Sequence, residues 1–179
     1  MRLYFIALVL PENLNEEIKI FKNIMAEKWG CKVGLKSPAH ITLVPPFRME
    51  QGMEEDLLRH LDQLCETITP FPITTNHFSA FKPRTIFIKP GLDEALKHLK
   101  KKTDAFCKTH PAYGVKADTR PFHPHITIAT RDLDKKAFAE AWPYFEKQSY
   151  NVTFNATGIS TLRHNSKNWD VLHTSPFAA

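Results

Sequence analysis

The same tripeptide, His-Ile-Thr, occurs at residues 40–42 and again at residues 125–127, and in both places another apolar residue follows it. β-Branched and apolar residues favour strands, so both segments are predicted to be β-strands. Side chains alternate between the two faces of a strand, which puts each histidine and threonine on one face and the apolar residues on the other. The fold must therefore bury one face of both strands and leave both polar faces open to a cleft.

Helices and further strands are predicted around the two motif strands. Apolar residues recur at helical spacing in four segments, residues 11–29, 54–67, 92–107 and 135–147. Strand-forming residues dominate residues 2–10, 32–47, 71–81, 84–90, 149–163 and 169–177. In the second of these strands, Pro45 and Pro46 are expected to end the pairing.

The order of elements in the second half of the chain repeats that of the first half, with a helix before each motif and a helix after it. Strands that come in adjacent pairs between helices favour antiparallel or mixed sheets over a doubly wound parallel sheet. We therefore predict an α+β fold with a duplicated architecture. Residues 1–179 are expected to form one domain made of two lobes that pack against each other.

Composition narrows the class of protein. The 42% of apolar residues suffices for a core, and the net charge of +5 suits a phosphate-bearing partner without requiring one. Three cysteines, far apart in the chain, argue against a disulfide framework. The apolar opening is too short to cross a bilayer and lacks a signal-peptide cleavage pattern. We expect a cytoplasmic monomer that does not associate with membranes.

A pair of histidines facing one cleft suits acid/base catalysis, because imidazole titrates near neutral pH and one ring can be protonated while the other is neutral. The threonine two residues further on reaches the same space and can donate a hydrogen bond to an anionic oxygen. On a phosphodiester, one histidine would activate the attacking oxygen and the other would protonate the leaving oxygen. A single His-x-Thr is more often an ordinary strand segment, whereas two matched copies favour catalysis.

The motifs resemble those of a known family. HITL at residues 40–43 and PHITIA at residues 124–129 are similar to the paired His-x-Thr/Ser-x signatures of the two-histidine (2H) phosphoesterase superfamily, which includes bacterial 2′-5′ RNA ligase-like proteins and cyclic phosphodiesterases. The segments RLYFIALVLPENL, FSAFKPRTIFIKP and RPFHPHITIAT are also similar to that family. The resemblance therefore covers most of the chain.

This resemblance implies a bilobal fold with a pseudo-twofold axis, in which two antiparallel sheets flanked by helices place both motifs in a central groove. Position by position, it implies that His40, Thr42, His125 and Thr127 are catalytic, without saying which histidine is the acid. The implied activity is metal-independent hydrolysis of a 2′,3′-cyclic phosphate or a related cyclic or 2′-5′ nucleotide phosphodiester, with no cofactor. A 2′-5′ RNA ligase and an RNA- or nucleotide-binding module on the same scaffold are the alternatives.

The residues after the first motif depart from the family pattern. Many RNA-ligase-like members continue with Phe-Leu-Gly, whereas this chain has Val-Pro-Pro-Phe followed by Arg48. Both an RNA end with a cyclic phosphate and a small cyclic nucleotide therefore stay open as the substrate.

Arg131, Arg84 and Phe47 are the candidate substrate-binding residues. Arg131 follows the second motif closely, and it and Arg84 are candidate phosphate contacts, as are Lys82 and Arg120. Phe47 is a candidate for stacking a base at the rim of the cleft. With thirteen phenylalanines in the chain, core packing is the alternative for this residue.

Three other patterns have simpler interpretations. His123 and His125 have a spacing that can serve zinc, but no carboxylate or cysteine stands beside them, so no metal site is predicted. The lysines at residues 100–102 are interpreted as a solvated helix face rather than a nucleic-acid patch. The histidines without a partner motif are interpreted as ordinary surface or strand residues: His60, His77, His98, His110, His164 and His173.

Overall fold

The helices form where the apolar periodicity predicts them, to within two residues at each end. The computed structural model describes residues 1–179. Its helices are α1 (Glu12–Trp29), α2 (Glu54–Cys65), α3 (Glu94–Thr109) and α4 (Lys135–Glu146). Asp93 and Asp134 cap α3 and α4, because each carboxylate accepts a hydrogen bond of 2.8 Å from a backbone N–H in the first turn. None of the helices combines the length and apolar character needed to cross a membrane.

Eight strands form two antiparallel sheets of four strands each. The strands are β1 (Arg2–Val9), β2 (His40–Met49), β3 (Phe71–Phe81), β4 (Thr85–Pro90), β5 (Ile126–Ala129), β6 (Thr153–Ala156), β7 (Gly158–His164) and β8 (Trp169–Pro176). The first sheet has the order β2-β1-β7-β8, and the second has the order β5-β4-β3-β6. The predicted α+β class, with two antiparallel sheets flanked by helices, is confirmed.

The two halves of the chain exchange elements. Strands β3 and β4, from the first half, pair with β6 and β5 from the second half, and β7, also from the second half, pairs with β1. Helix α1 packs against β5 in the second sheet, and α3 packs against β2 in the first. Each sheet therefore contains strands from both halves of the chain, which ties the halves together around a pseudo-twofold axis.

The two motif strands lie at the edges of their sheets and contact each other across the axis. On one face, Ile41, Leu43, Ile126 and Ile128 are buried, with at most 1% of each exposed. The opposite faces border a central groove. The predicted alternation is therefore confirmed for both motifs, although the second histidine, His125, lies one residue before β5 begins.

The segment between α1 and the first motif differs from the prediction. Val33–Lys36 forms a short 3₁₀-helix rather than part of a strand. The prediction that Pro45 and Pro46 end the strand is also wrong, because β2 continues through both. Strand β2 tolerates them because it is an edge strand and because its pairing with β1 shifts by one residue between Val44 and Phe47.

The single strand predicted for residues 149–163 is two strands that belong to different sheets. Strand β6 pairs with β3, whereas β7 pairs with β1 and β8. The backbone of Gly158 lies so close to β8 that a Cβ there would be 2.6 Å from the carbonyl oxygen of Ser175. Apolar residues occupy positions 152, 154 and 156 before this point and 159 after it, so the change of sheet coincides with a break in the alternation.

Candidate active site

The polar side chains of both motifs face one groove between the two sheets. A cavity of about 420 Å³, called here the His40 side, is lined by His40, Thr42 and Thr127. A second cavity of about 560 Å³, the His125 side, is lined by Thr42 and His125. Thr42 and Pro46 line both cavities, so the two sides join. The fold therefore brings together the four residues that the repeated motif singles out.

The two histidine rings are held in the same way. The Nδ1–H of His40 donates a hydrogen bond of 2.7 Å to the carbonyl oxygen of Pro38. The Nδ1–H of His125 donates one of 2.8 Å to the carbonyl oxygen of His123. Because a carbonyl can only accept, both rings carry a proton on Nδ1, and Nε2 is left to take up or release a proton.

The surroundings of His40 favour its neutral form. Burial lowers the pKa of His40 to about 4, and the nearby positive charges of Lys22 and His125 act in the same direction against the opposing effect of the Pro38 hydrogen bond. At neutral pH the ring is therefore uncharged in the unliganded protein, and its Nε2 can accept a proton.

Aromatic rings pack against each histidine. The ring of Phe5, on β1, lies 4.8 Å from that of His40, and Trp169 lies 4.6 Å beyond Phe5. The ring of Phe81 lies 5.2 Å from that of His125, and that of Phe87 lies 5.5 Å from it. Trp169 lines the His40 side and Phe81 lines the His125 side, so each side offers an aromatic face to a ligand.

The charged residues of the groove are mostly basic. Lys36 and Arg131 line the His40 side, and Lys100 and Arg120 line the His125 side. Asp118 is the one carboxylate that lines either cavity, and Arg120 binds it through two hydrogen bonds of 2.7 and 2.9 Å. This excess of positive charge favours an anionic ligand.

The structure separates the predicted substrate-binding residues. Arg131 and Arg120 line the groove, and their contact with a phosphate stays a prediction. Arg84 lies exposed in the turn between β3 and β4 and lines neither cavity. The ammonium group of Lys82 instead lies 5.6 Å over the ring of Trp142.

The prediction that Phe47 stacks a base at the rim of the cleft is wrong. Phe47 is 5% exposed, packs 5.9 Å from the ring of Tyr4, and lines neither side of the groove. It lies in the core with Ile41 and Leu43, and across the sheet it is paired with Tyr4, which is fully buried.

Several residues that line the groove were assigned no role from the sequence. His164 and Trp169, which flank the turn between β7 and β8, reach the His40 side although they lie far from both motifs in sequence. Lys100, interpreted as part of a solvated face, has a side chain that is only 15% exposed and lines the His125 side. Only the fold brings these residues to the groove, and no local pattern marks them.

The spacing of His123 and His125 serves orientation in this structure, because the carbonyl of His123 holds the ring of His125. No group of three or more His, Cys, Asp or Glu side chains converges as a set of metal ligands.

A family profile and several known proteins match this sequence. The sequence profile of the 2′-5′ RNA ligase superfamily matches residues 10–168. A protein from Geobacillus thermodenitrificans that is named a phosphoesterase is 30% identical over 142 residues. The match covers 78% of this chain and 76% of that protein. The RNA 2′,3′-cyclic phosphodiesterase of Bacillus subtilis is 26% identical over 149 residues, covering 79% of this chain and 78% of that protein.

Solved structures share the fold. The crystal structure of E. coli LigT complexed with 3′-AMP aligns with a TM-score of 0.68 at 18% identity and covers 99% of both chains. Because the family profile spans most of the sequence and includes both His-Ile-Thr strands, this chain belongs to the 2′-5′ RNA ligase superfamily, a group of 2H phosphoesterases.

Proposed function

We propose that this protein is a metal-independent phosphodiesterase that hydrolyses a 2′,3′-cyclic phosphate on a nucleotide or an RNA end, with His40 and His125 as its acid/base pair. One observation carries the proposal. Both histidines face the same groove with Nδ1 bonded to a main-chain carbonyl, and each is accompanied by a threonine from its own motif.

The reaction needs two proton transfers. One histidine takes a proton from water through Nε2, and the water oxygen forms a bond to phosphorus. The bond from phosphorus to the 2′ or 3′ ribose oxygen breaks, and the other histidine gives that oxygen a proton. One water is consumed, and the product is a phosphomonoester beside a free hydroxyl.

The threonines and the basic residues have separate tasks. The hydroxyls of Thr42 and Thr127 border the groove between the histidines, where they donate hydrogen bonds to the nonbridging oxygens as negative charge develops there. Lys36 and Arg131 supply positive charge on the His40 side, where no carboxylate lines the cavity. Anion binding therefore needs no metal ion in this proposal.

The relatives support this choice of substrate. The Bacillus subtilis relative is named an RNA 2′,3′-cyclic phosphodiesterase, and LigT was crystallised with 3′-AMP. A ligase would use the same residues in reverse, by joining a cyclic phosphate to a hydroxyl. Cleavage of a 2′-5′ dinucleotide reports on that alternative.

The test is hydrolysis of a 2′,3′-cyclic mononucleotide, a 3′,5′-cyclic mononucleotide and a 2′-5′ dinucleotide in excess EDTA. We expect turnover of the first, and a loss of about 10²-fold or more in kcat for His40→Ala and for His125→Ala. His98→Ala is the matched control, since His98 is exposed on α3 and lines neither side of the groove.

Two results would contradict the proposal. Turnover that is abolished by EDTA and restored by a divalent metal would rule out the metal-independent mechanism. Nucleotide binding without turnover, unaffected by either alanine variant, would indicate a binding module.

A further inference from the structure

Lys22, on α1, is the one charged side chain among the buried residues, with 4% of it exposed. Its neighbours along the helix, Ile18 and Met25, are fully buried in the core. Taking an ammonium group out of water is unfavourable unless the group is paired. Yet none of the ion pairs in the protein includes Lys22. Lys22 is therefore a buried ammonium group that no salt bridge stabilises.

The hydrogen bond of Lys22 leads to His40. Its Nζ donates a bond of 3.0 Å to the carbonyl oxygen of Ser37. The next carbonyl along the chain, that of Pro38, accepts the bond from Nδ1 of His40. Two consecutive peptide carbonyls are thus held, one by the ammonium group of Lys22 and one by the ring of His40.

The His125 side has no equivalent lysine. The carbonyl of His123 orients His125, and among the described hydrogen bonds no lysine holds this segment. Lys100 lies 5.6 Å from the ring of Phe122, but its ammonium group pairs with Asp104. The buried lysine therefore breaks the twofold relation between the two histidines.

We propose that Lys22 is a positioning residue for His40, since its ammonium group anchors the carbonyl of Ser37, next to the carbonyl that holds the ring, and places a positive charge near the imidazole. Its effect on turnover rests on the proposed function, whereas its effect on the ring does not. Lys22 touches no substrate in this proposal, because it lines neither side of the groove.

The electrostatics of both groups agree with this geometry. Burial lowers the pKa of Lys22 to about 8, so it is mostly charged at neutral pH. Burial, followed by the charges of Lys22 and His125, lowers that of His40. The other ionisable groups that line the two adjoining cavities are Lys36, Arg131 and His164 on the His40 side, and Glu12, Glu16, Lys19 and Lys36 on the side of Lys22.

The experiment compares Lys22→Met, which keeps the apolar stem and removes the charge and donor, with Lys22→Arg, which keeps both. NMR titration of the His40 ring and the pH profile of kcat are measured on the full chain. Lys19→Met is the matched control, because Lys19 lies one turn away on α1 and its side chain is 57% exposed.

For Lys22→Met we expect the pKa of His40 to rise by about one pH unit, because a nearby positive charge is removed. We also expect kcat to fall about tenfold with KM unchanged, because the ring loses its fixed orientation. Lys22→Arg should restore part of both properties, and Lys19→Met should leave both as in the wild type.

A folded Lys22→Met protein with unchanged His40 titration and unchanged kcat would overturn the proposal. Loss of the fold in that variant would overturn it too, since Lys22 would then be a structural residue. If no substrate is turned over by the wild type, the proposed function fails, and the NMR titration still decides the role of Lys22.

Discussion

The His40 side and the His125 side of the groove have similar contacts to the imidazole ring and differ in what holds the neighbouring backbone. On both sides a carbonyl two residues earlier fixes Nδ1, and aromatic rings pack against the imidazole. The hydrogen bond of His40 is partly buried, and Lys22 holds the carbonyl of Ser37 next to it. The hydrogen bond of His125 is exposed.

The strands that carry the two histidines also differ. His40 begins a strand of ten residues, whereas His125 stands before a strand of four and follows residues 114–124, which form neither helix nor strand. The two rings are therefore held by equivalent hydrogen bonds in unequal surroundings. An acid and a base need this inequality, because one ring must hold a proton while the other is free to accept one.

The largest effect is expected at Gly34, where the 3₁₀-helix of Val33–Lys36 approaches β5. A Cβ on Gly34 would overlap the carbonyl oxygen of Ile128, on β5. Backbone cannot move aside as a side chain can, so Gly34→Ala should separate the 3₁₀-helix from β5. We expect a loss of about 2–3 kcal/mol in the free energy of unfolding, measured with denaturant, together with lower kcat.

Gly52→Ala is the matched control for this prediction. Gly52 also lies in a 3₁₀-helix, but a Cβ there would meet nothing within 4 Å. Its stability should stay within about 0.5 kcal/mol of the wild type. Equal stabilities for the two variants would mean that the halves do not depend on this close approach.

The sequence predicts the parts of the fold that depend on local periodicity. The helices follow from apolar spacings of three or four, and the buried faces of both motifs follow from a spacing of two. Both spacings are local and do not depend on which elements pack together. The four groove residues of the motifs follow from the same alternation, because it places each histidine beside its threonine.

What the sequence does not predict depends on distant partners. Pro45 and Pro46 stay within a strand because β2 is at an edge, and edges are set by the order of all eight strands. Lys22 has the helical spacing of a core residue, yet its role depends on the carbonyl of Ser37. His164 and Trp169 reach the groove only because β7 and β8 join the first sheet.

The second prediction concerns the burial of His40 and its effect on the pH dependence of stability. Because the pKa of His40 is lowered to about 4 in the folded protein, the unfolded chain binds more protons between pH 4 and its ordinary value of 6.5. Stability should therefore rise with pH through that window, and this contribution should be lost as the pH falls towards 4.

The measurement is the free energy of unfolding of the wild type and of His40→Gln between pH 3 and pH 7. Subtracting the two curves removes the background from the carboxylates. The difference should change by about 3 kcal/mol between pH 3 and pH 7, since each of the roughly 2.5 pKa units between 6.5 and about 4 is worth about 1.4 kcal/mol and most of the change falls within this range. Parallel curves would show that His40 is as solvated as it is in the unfolded chain.

The smallest effect is expected when the arginine on each side of the groove is replaced. Arg131, on the His40 side, has no carboxylate partner within 4 Å, whereas Arg120 is held by Asp118 and its side chain is 79% exposed. If the phosphate binds on the His40 side, Arg131→Ala should raise KM about tenfold and Arg120→Ala about twofold. Both changes should shrink at high salt, because exposed charges are screened.

Arg59→Ala controls for the loss of one positive charge, since Arg59 pairs with Asp56 on α2 and lines neither side of the groove. A larger effect from Arg120→Ala than from Arg131→Ala would place the phosphate on the His125 side instead. Asp118→Asn then extends the test, because it frees Arg120 from its partner. A fall in KM for that variant would mean that Asp118 competes with the substrate for Arg120, and an unchanged KM would keep the phosphate on the side of His40.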